Sequence, residues 1–147
     1  MADLDALVVL ENRCFKHDRM SRRSYAAALR NPRALLLVAD RSDGHLIGAA
    51  TLFLRRDSPA ARLYSIAVDP GSRGLGLGAK LLALAEKTAV RRGASALRLE
   101  ASIRNKTALA LYRKSGYEII GRIAAYYENG ADALRLEKQF PSSPHRH

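Results

Sequence analysis

The chain has 147 residues and a formal net charge of +11, which predicts one domain with a single core and an attraction to anions such as nucleotides, acidic proteins or RNA. The basic residues are scattered in pairs and the chain has no tryptophan, so nucleic-acid binding is disfavoured as its main activity. No apolar run is long enough to span a bilayer, no signal peptide is recognisable, and the single cysteine excludes an internal disulfide; we therefore expect a cytoplasmic protein without a membrane partner.

The N-terminal part of the chain predicts two helices and one strand. Apolar residues at helical spacing predict a first helix over residues 2–11, and Ser21 is placed to cap a second helix. The second helix is expected to stop at Asn31-Pro32, because the residue before a proline avoids helical geometry. Residues 34–39 form an apolar run too short for a helix, which predicts a buried strand.

Two further strands lead into a glycine-rich segment. A strand is predicted over residues 45–54, and its small residues around Gly48 indicate close packing against another element. Residues 63–68 are apolar and β-prone and predict the next strand. An Asp-Pro-Gly-Ser turn follows, and a helical pattern begins at about Gly76.

The glycine-rich segment over residues 73–79 is typical of an anion-binding helix N-terminus. Glycines let backbone N–H groups approach an anion, and the first helical turn adds unpaired donors and the positive end of the helix dipole. Arg73 adds a full positive charge. The segment therefore predicts a pyrophosphate site, but not a Walker A loop, because Lys80 is followed by Leu81 instead of serine or threonine.

A long helix and another strand follow this segment. The helix is predicted over residues 76–92, with a glycine at its end. Its apolar face is predicted to consist of Leu77, Leu81, Leu84, Ala85 and Thr88. The strand over residues 97–102 turns its leucines to one side and Glu100 to the other, because side chains alternate along a strand.

The C-terminal part predicts one more helix and a hairpin. Asn105 is placed to cap a helix that ends at Gly116. Residues 117–127 and 132–140 predict two antiparallel strands that close the sheet. Residues 141–147 are expected to form a disordered tail.

Three interpretations of the glycine-rich segment remain. Gly74-x-Gly76-x-x-Ala79 fits a loose dinucleotide-binding fingerprint, with Glu100 near the expected acidic position, although a proline-containing turn precedes the first glycine. A glycine turn that only starts a helix needs no ligand. The pattern Arg-x-x-Gly-x-Gly over residues 73–78, after a strand that ends Ile-Ala-Val-Asp-Pro, resembles the acetyl-coenzyme A loop of the GNAT acetyltransferase superfamily.

Other parts of the chain resemble this superfamily in the same order and spacing. Residues 97–100, and the pattern Asn-x-x-Ala-x-x-Leu-Tyr-x-x-x-Gly-Tyr over residues 105–117, resemble the strand, helix and turn after the loop. Residues 121–134 resemble the C-terminal signature of one subgroup, the bacterial ribosomal-protein alanine N-acetyltransferases, and residues 11–25 look like it as well. The resemblance extends over residues 2–138.

The resemblance implies an α/β (α+β) fold of the GNAT type, in which a mixed central sheet is flanked by helices. It implies a single N-acetyltransferase domain over residues 1–140. The family has a strand before its first helix, whereas this sequence begins with the helix, so the usual first edge strand is expected to be missing. The strand over residues 35–39 would then be an edge with unpaired backbone groups, and a homodimer, a strand swap or an incorrectly assigned start codon would each explain this.

The resemblance also implies acetyl-CoA as the co-substrate. The strand at Ile66, Ala67 and Val68 would splay from its neighbour and hold the pantetheine arm by backbone hydrogen bonds, and one of its N–H groups would polarise the thioester carbonyl. Arg73 and a run of backbone amides would bind the pyrophosphate. These amides are those of Gly74, Leu75, Gly76, Leu77, Gly78 and Ala79. Asn105 would bond to the pantetheine.

Two residues match the family's catalytic groups. Glu100 matches the general base, which takes a proton from the acceptor ammonium directly or through water. The alternative is a surface glutamate paired with Arg98. Tyr112 matches the general acid, which protonates the departing thiolate, and the alternative is a core tyrosine packed under its helix.

The acceptor implied by the resemblance is the α-amine of a protein or peptide N-terminus. Phe15, Tyr126 and Tyr127 are candidates for the acceptor mouth, although the two tyrosines fit ordinary hairpin aromatics equally well. The chain departs from the subgroup at Met20, over residues 101–104 and at Ala131, so the acetyl donor is implied more directly than the acceptor. A lysine or small-molecule amine is the alternative acceptor. A non-catalytic coenzyme A-binding module and a nicotinamide enzyme are the alternatives from other classes, and no metal site is expected.

Overall fold

The computed structural model describes residues 2–14, 21–40, 45–55, 58–72, 74, 76–127 and 129–141. Its helices are α1 (Ala2–Cys14), α2 (Arg22–Arg30), α3 (Leu77–Arg91) and α4 (Lys106–Lys114), with a short 3-10 helix at Pro70–Ser72. Its strands are β1 (Ala34–Asp40), β2 (Leu46–Phe53), β3 (Ala60–Val68), β4 (Ala96–Ser102), β5 (Glu118–Ile123) and β6 (Ala133–Gln139). The predicted tail lies outside the described residues from position 142 onward.

The strands form one mixed sheet in the order β1-β2-β3-β4-β6-β5. Strands β3 and β4 run parallel, and the other neighbours are antiparallel. Ala49 of β2 packs in a cluster with α1 and α2, whereas Ala50 packs in a cluster with α3 and α4. Because neighbouring residues on a strand face opposite sides, helices cover both faces of the sheet. This arrangement confirms the predicted fold class, and within the described residues β1 lies at an edge of the sheet.

Two local predictions are confirmed in the packing of the helices. The side chain of Ser21 caps α2 by accepting a hydrogen bond from the N–H of Ser24. The glycine at position 48 lets α3 approach the sheet, since a Cβ there would lie 2.8 Å from Leu81 Cδ1. The small centre of β2 therefore allows α3 to pack close to the sheet.

Several details differ from the sequence prediction: α1 extends to Cys14 and β5 ends at Ile123 instead of residue 127. Strand β3 begins at Ala60 instead of residue 63, because pairing with β4 extends the strand through residues with weak β-propensity. On α3, the predicted Leu81 and Ala85 are buried, but Leu84 is 42% exposed and the buried face includes Leu82 and Ala89 instead. The small Ala89 allows this part of the helix to pack closely on the core. None of the described helices is long and apolar enough to cross a membrane.

The sheet opens between β3 and β4. Their parallel ladder has four residue pairs and ends at Leu63 and Leu99. Beyond these residues β3 is paired with β2 and β4 is paired with β6. The register of β2 and β3 shifts at Tyr64, and a bulge of this kind bends a strand. The splay that the resemblance implies is therefore present, and it leaves a cleft between the C-terminal halves of the two strands.

Candidate active site

A cavity of about 520 Å³ occupies the cleft between β3 and β4. Its walls come from these two strands, from α4, from the connection between β5 and β6, and from Glu11 of α1. It brings together six residues that the sequence analysis named: Ile66, Glu100, Asn105, Tyr112, Tyr126 and Tyr127. The divergence of two neighbouring strands therefore gathers residues that are up to 61 positions apart, from Ile66 to Tyr127.

Glu100 lies on β4 with its side chain only 7% exposed and is held by two arginines. Arg62 Nη2 lies 2.7 Å from one carboxylate oxygen, Oε1, and Arg135 Nε lies 3.0 Å from the other, Oε2. The alternative interpretation, a pair with Arg98, is wrong, because the guanidinium of Arg98 binds Glu137. The two arginines therefore fix the position of the carboxylate at the cavity wall.

Tyr112 belongs to the core and also lines the cavity. Its ring meets the ring of Tyr117 edge to face at 5.9 Å. Burial raises the pKa of the Tyr112 hydroxyl to about 12. No hydrogen bond joins this hydroxyl to the described part of the chain. The hydroxyl of Tyr112 therefore keeps its proton at neutral pH and does not donate it to any other described residue.

Tyr126 and Tyr127 lie at one wall of the cavity, with their rings edge to face at 5.0 Å. The connection that carries them is held by Asp132, whose carboxylate accepts hydrogen bonds from the N–H of Ala125 and the guanidinium of Arg122. Two hydrogen bonds lower the pKa of Asp132. The one from the backbone N–H of Ala125 has the larger effect, and the one from the guanidinium of Arg122 comes next. Asp132 is therefore ionised at neutral pH, and its hydrogen bonds hold the connection that carries both tyrosines.

The N-terminus of α3 has the geometry of an anion cradle. Gly74 and Gly76 have φ angles of +89° and +74°, and a Cβ at either position would meet open space. Gly76 is the N-cap and has no side-chain hydrogen bond, and the first N–H bonded within the helix is that of Lys80. The amides of Leu77, Gly78 and Ala79 therefore point out of the helix end. Arg73 and Leu75, the two other predicted cradle residues, lie outside the described residues.

The cradle adjoins the cavity. A Cβ at Gly78 would lie 3.5 Å from Leu111 Cδ2, and Leu111 lines the cavity. Asn105 caps α4 by accepting a hydrogen bond from the N–H of Ala108, so its amide NH₂ is the group that remains for a ligand. These residues fit the diphosphate and pantetheine of a coenzyme A thioester, with the diphosphate at the helix end.

The three predicted residues of β3 have different surroundings. Ile66 lines the cavity, whereas Ala67 is buried against α1. The carbonyl of Val68 accepts a hydrogen bond from the thiol of Cys14 at 3.1 Å. The parts of Ala67 and Val68 that would contact a ligand are therefore their backbone groups.

Sequence reasoning missed three charged residues at this site, namely Glu11, Arg62 and Arg135. Glu11 is 2% exposed, and Tyr25 donates a 2.5 Å hydrogen bond to its Oε1. Burial, followed by this hydrogen bond, raises the pKa of Tyr25. The sequence did contain a signal for Glu11, because a glutamate on the apolar face of a helix is unusual and indicates a buried, paired carboxylate. Phe15, a predicted acceptor-mouth residue, lies outside the described residues.

The chain is similar to known acetyltransferases. The sequence profile of the acetyltransferase (GNAT) family matches residues 4–117. A Bacillus subtilis (strain 168) protein, whose proposed activity is that of a ribosomal protein bS18-alanine N-acetyltransferase, is 33% identical over 135 residues, which are 91% of this chain and 87% of that protein.

Solved structures share the fold over nearly the whole chain. The crystal structure of the ribosomal-protein-S18-alanine N-acetyltransferase from Escherichia coli has a TM-score of 0.87 at 26% identity, and the match covers 100% of this chain and 94% of that chain. The crystal structure of the NatC complex bound to Gag peptide and CoA has a TM-score of 0.80 at 23% identity, and covers 94% of this chain and 91% of that one.

Proposed function

Because the chain belongs to the acetyltransferase (GNAT) family, we propose that it moves an acetyl group from acetyl-CoA to the α-amine of a protein N-terminus. Acetyl-CoA is the donor that this family uses, and the relatives are N-acetyltransferases. The nicotinamide interpretation of the glycine-rich segment is dropped for the same reason. The α-amine acceptor rests on similarity to ribosomal-protein alanine N-acetyltransferases.

One observation carries the proposed chemistry: Glu100 and Tyr112 line the same cavity beside the amide cradle. In the proposal, Glu100 accepts a proton from the attacking amine, directly or through water. Tyr112 donates its proton to the departing sulfur. A backbone N–H of β3 in the open segment binds the carbonyl oxygen, a contact of a type worth about 3 kcal/mol per donor.

The pyrophosphate would lie against the amides from Gly74 to Ala79, with Arg73 as an added charge. The pantetheine would run along β3 at Ile66 to Val68 and meet the amide of Asn105. The peptide acceptor would enter past Phe15, Tyr126 and Tyr127. A cytoplasmic location is part of the proposal, since Cys14 is the single cysteine of the sequence.

Thiol release from acetyl-CoA tests the proposal. The purified protein is given a peptide with a free N-terminal alanine and no lysine, the same peptide with a blocked N-terminus and one lysine, and a polyamine. We expect thiol release and an acetylated product with the first peptide above the other two acceptors.

Other outcomes distinguish the alternatives. Release with the lysine peptide or polyamine alone would replace the α-amine by another acceptor. Heat of acetyl-CoA binding in calorimetry, without thiol release for any amine, would indicate a non-catalytic module. Absence of acetyl-CoA binding would reject the donor site itself.

A further inference from the structure

A second cavity, of about 500 Å³, lies beside the candidate active site. Its walls come from α2, from β3, and from the end of β2 with the two residues that follow it. Arg62 and Tyr64 of β3 line both this cavity and the first one. The two cavities are therefore neighbours that meet at these side chains, and a chain bound in the first can continue into the second.

The apolar part of the second cavity combines small and aromatic residues. Ala27 and Ala28 line it from α2, and their small side chains leave space beside the helix. Phe53 and Tyr64 line it from the sheet, with their rings edge to face at 5.8 Å. Tyr64 is 46% exposed, so much of its ring is open to contact with a ligand. Burial of this aromatic surface would favour binding of an apolar group.

Two polar residues of the second cavity are already engaged within the protein. Arg62 binds Glu100, which lines the first cavity and not the second. Oδ1 of Asn31 accepts a hydrogen bond from the N–H of Arg33. The described lining contains no carboxylate, so a basic side chain would lose its hydration there without forming an ion pair. The cavity therefore favours an aromatic or large apolar side chain over a basic one.

We propose that the second cavity is a subsite for the acceptor, which takes an aromatic or large apolar side chain of the peptide shortly after its N-terminal residue. This inference rests on the proposed function and adds the class of peptide sequence that the protein selects. The N-terminal amine would lie at Glu100 in the first cavity, and the next residues would pass Arg62 and Tyr64. An extended chain advances about 3.3–3.6 Å per residue, so residues 2 to 4 of the acceptor are the ones expected to reach the adjacent cavity.

Acetyl transfer to a set of amidated four-residue peptides tests the proposal. The reference peptide is alanine followed by three serines, and in the others one serine is replaced by phenylalanine or by arginine. For the wild type we expect phenylalanine at one of the three positions to raise kcat/KM about tenfold, mainly through a lower KM. Arginine at the same position should give no increase. Equal kcat/KM values for the reference and all phenylalanine peptides would overturn the proposal.

Two variants connect this preference with the second cavity. Ala27 is exposed and lines only this cavity, so Ala27→Trp fills it without entering the core. Phe53→Ala removes one of its aromatic rings. In either variant the ratio of kcat/KM between the preferred phenylalanine peptide and the reference should fall to about one. Calorimetry with acetyl-CoA checks that each variant retains a folded donor site.

The matched control is Ala83→Trp, at an exposed position of α3 that lines neither cavity. It should keep the wild-type ratio, because the added ring lies away from the proposed subsite. A wild-type ratio in both Ala27→Trp and Phe53→Ala would overturn the proposal. Loss of the ratio in Ala83→Trp would do the same, since the preference would then not depend on the second cavity.

A binding measurement decides the proposal without turnover. In the presence of CoA, calorimetry compares the preferred phenylalanine peptide with the reference, and we expect about tenfold tighter binding that Ala27→Trp abolishes. Sedimentation shows whether a second copy of the chain covers the cavity instead, and a dimer that Ala27→Trp dissociates would overturn the proposal. Failure of the proposed function, by contrast, would appear as absence of acetyl transfer to every peptide, and the binding preference would still be measurable.

Discussion

Leu63 of β3 and Leu99 of β4 are the last residues that pair in the parallel ladder at the centre of the sheet. The next residue on β3, Tyr64, lies at the shift in register with β2 and lines the cavity. Glu100 follows Leu99 on β4 and lines the opposite wall. The end of one ladder therefore creates both the cleft and the position of the proposed base.

Substitution of the proposed base tests its role directly. Glu100→Gln keeps the shape of the side chain but removes its ability to accept a proton. We expect kcat to fall by about 10²–10⁴-fold while calorimetry shows unchanged acetyl-CoA affinity. Arg98→Gln, on the same strand, is the matched control and should keep the wild-type kcat. Wild-type turnover of Glu100→Gln would reject the assignment.

The proposed general acid has a matched control in its neighbour. Tyr112→Phe removes a hydroxyl from the cavity, and we expect a loss in kcat of about 10²–10⁴-fold. Tyr117→Phe removes a hydroxyl that binds Glu86 outside the cavity. It should cost about 1 kcal/mol of unfolding free energy and leave kcat unchanged. Steady-state kinetics and urea unfolding of both variants separate the two roles, and equal kcat values in the two variants would contradict the acid assignment.

The raised pKa of Tyr112 also predicts a loss of stability at alkaline pH. Its pKa is about 12 in the folded protein, whereas an unfolded tyrosine loses its proton near pH 10. Above pH 10 the unfolded chain therefore binds fewer protons than the folded one, and the free energy of unfolding falls as pH rises toward 12. Between pH 9 and pH 11 we expect Tyr112 to contribute about 1–2 kcal/mol to this fall. Urea unfolding should show a smaller fall for Tyr112→Phe, and an equal fall in both proteins would contradict the burial effect.

The two ends of α3 provide a matched test of the cradle. Gly76 and Gly93 have φ angles of +74° and +89°, and a Cβ at either position meets open space. Alanine at either position should cost about 1–2 kcal/mol of stability, because L-residues disfavour this conformation. Only Gly76→Ala should also weaken acetyl-CoA binding, measured by calorimetry. Equal affinity losses in the two variants would indicate a general effect of the helix and not a local cradle.

Gly48 predicts a coupling between core packing and donor binding. Alanine there would place its Cβ 2.8 Å from Leu81 Cδ1 and 3.2 Å from Leu77 Cδ2, so the leucine side chains on this face of α3 must move. We expect a loss of about 1–3 kcal/mol in unfolding free energy and weaker acetyl-CoA binding, since Leu77 begins the helix. Gly71→Ala meets no atom within 4 Å and serves as the control. Unchanged stability and affinity of Gly48→Ala would show that the helix tolerates the displacement.

The sequence determined those features that depend on residues close together in the chain. The cap of α2 at Ser21, the cap of α4 at Asn105 and the helix that starts at the glycine-rich segment are all present. Each depends on side-chain hydrogen bonds or backbone freedom within a few residues. The alternation on β4 likewise placed Leu97 and Leu99 in the core and Glu100 on the other side.

Only the tertiary structure decided which charged residues meet at the site. Arg62 falls within a strand segment that pairing with β4 extends, and Arg135 reaches Glu100 because β6 lies between β4 and β5. Strand order and the end of a ladder depend on contacts between residues far apart in the chain, which local propensity does not encode. For this reason the sequence named the proposed base, whereas only the fold revealed the two cations that surround it.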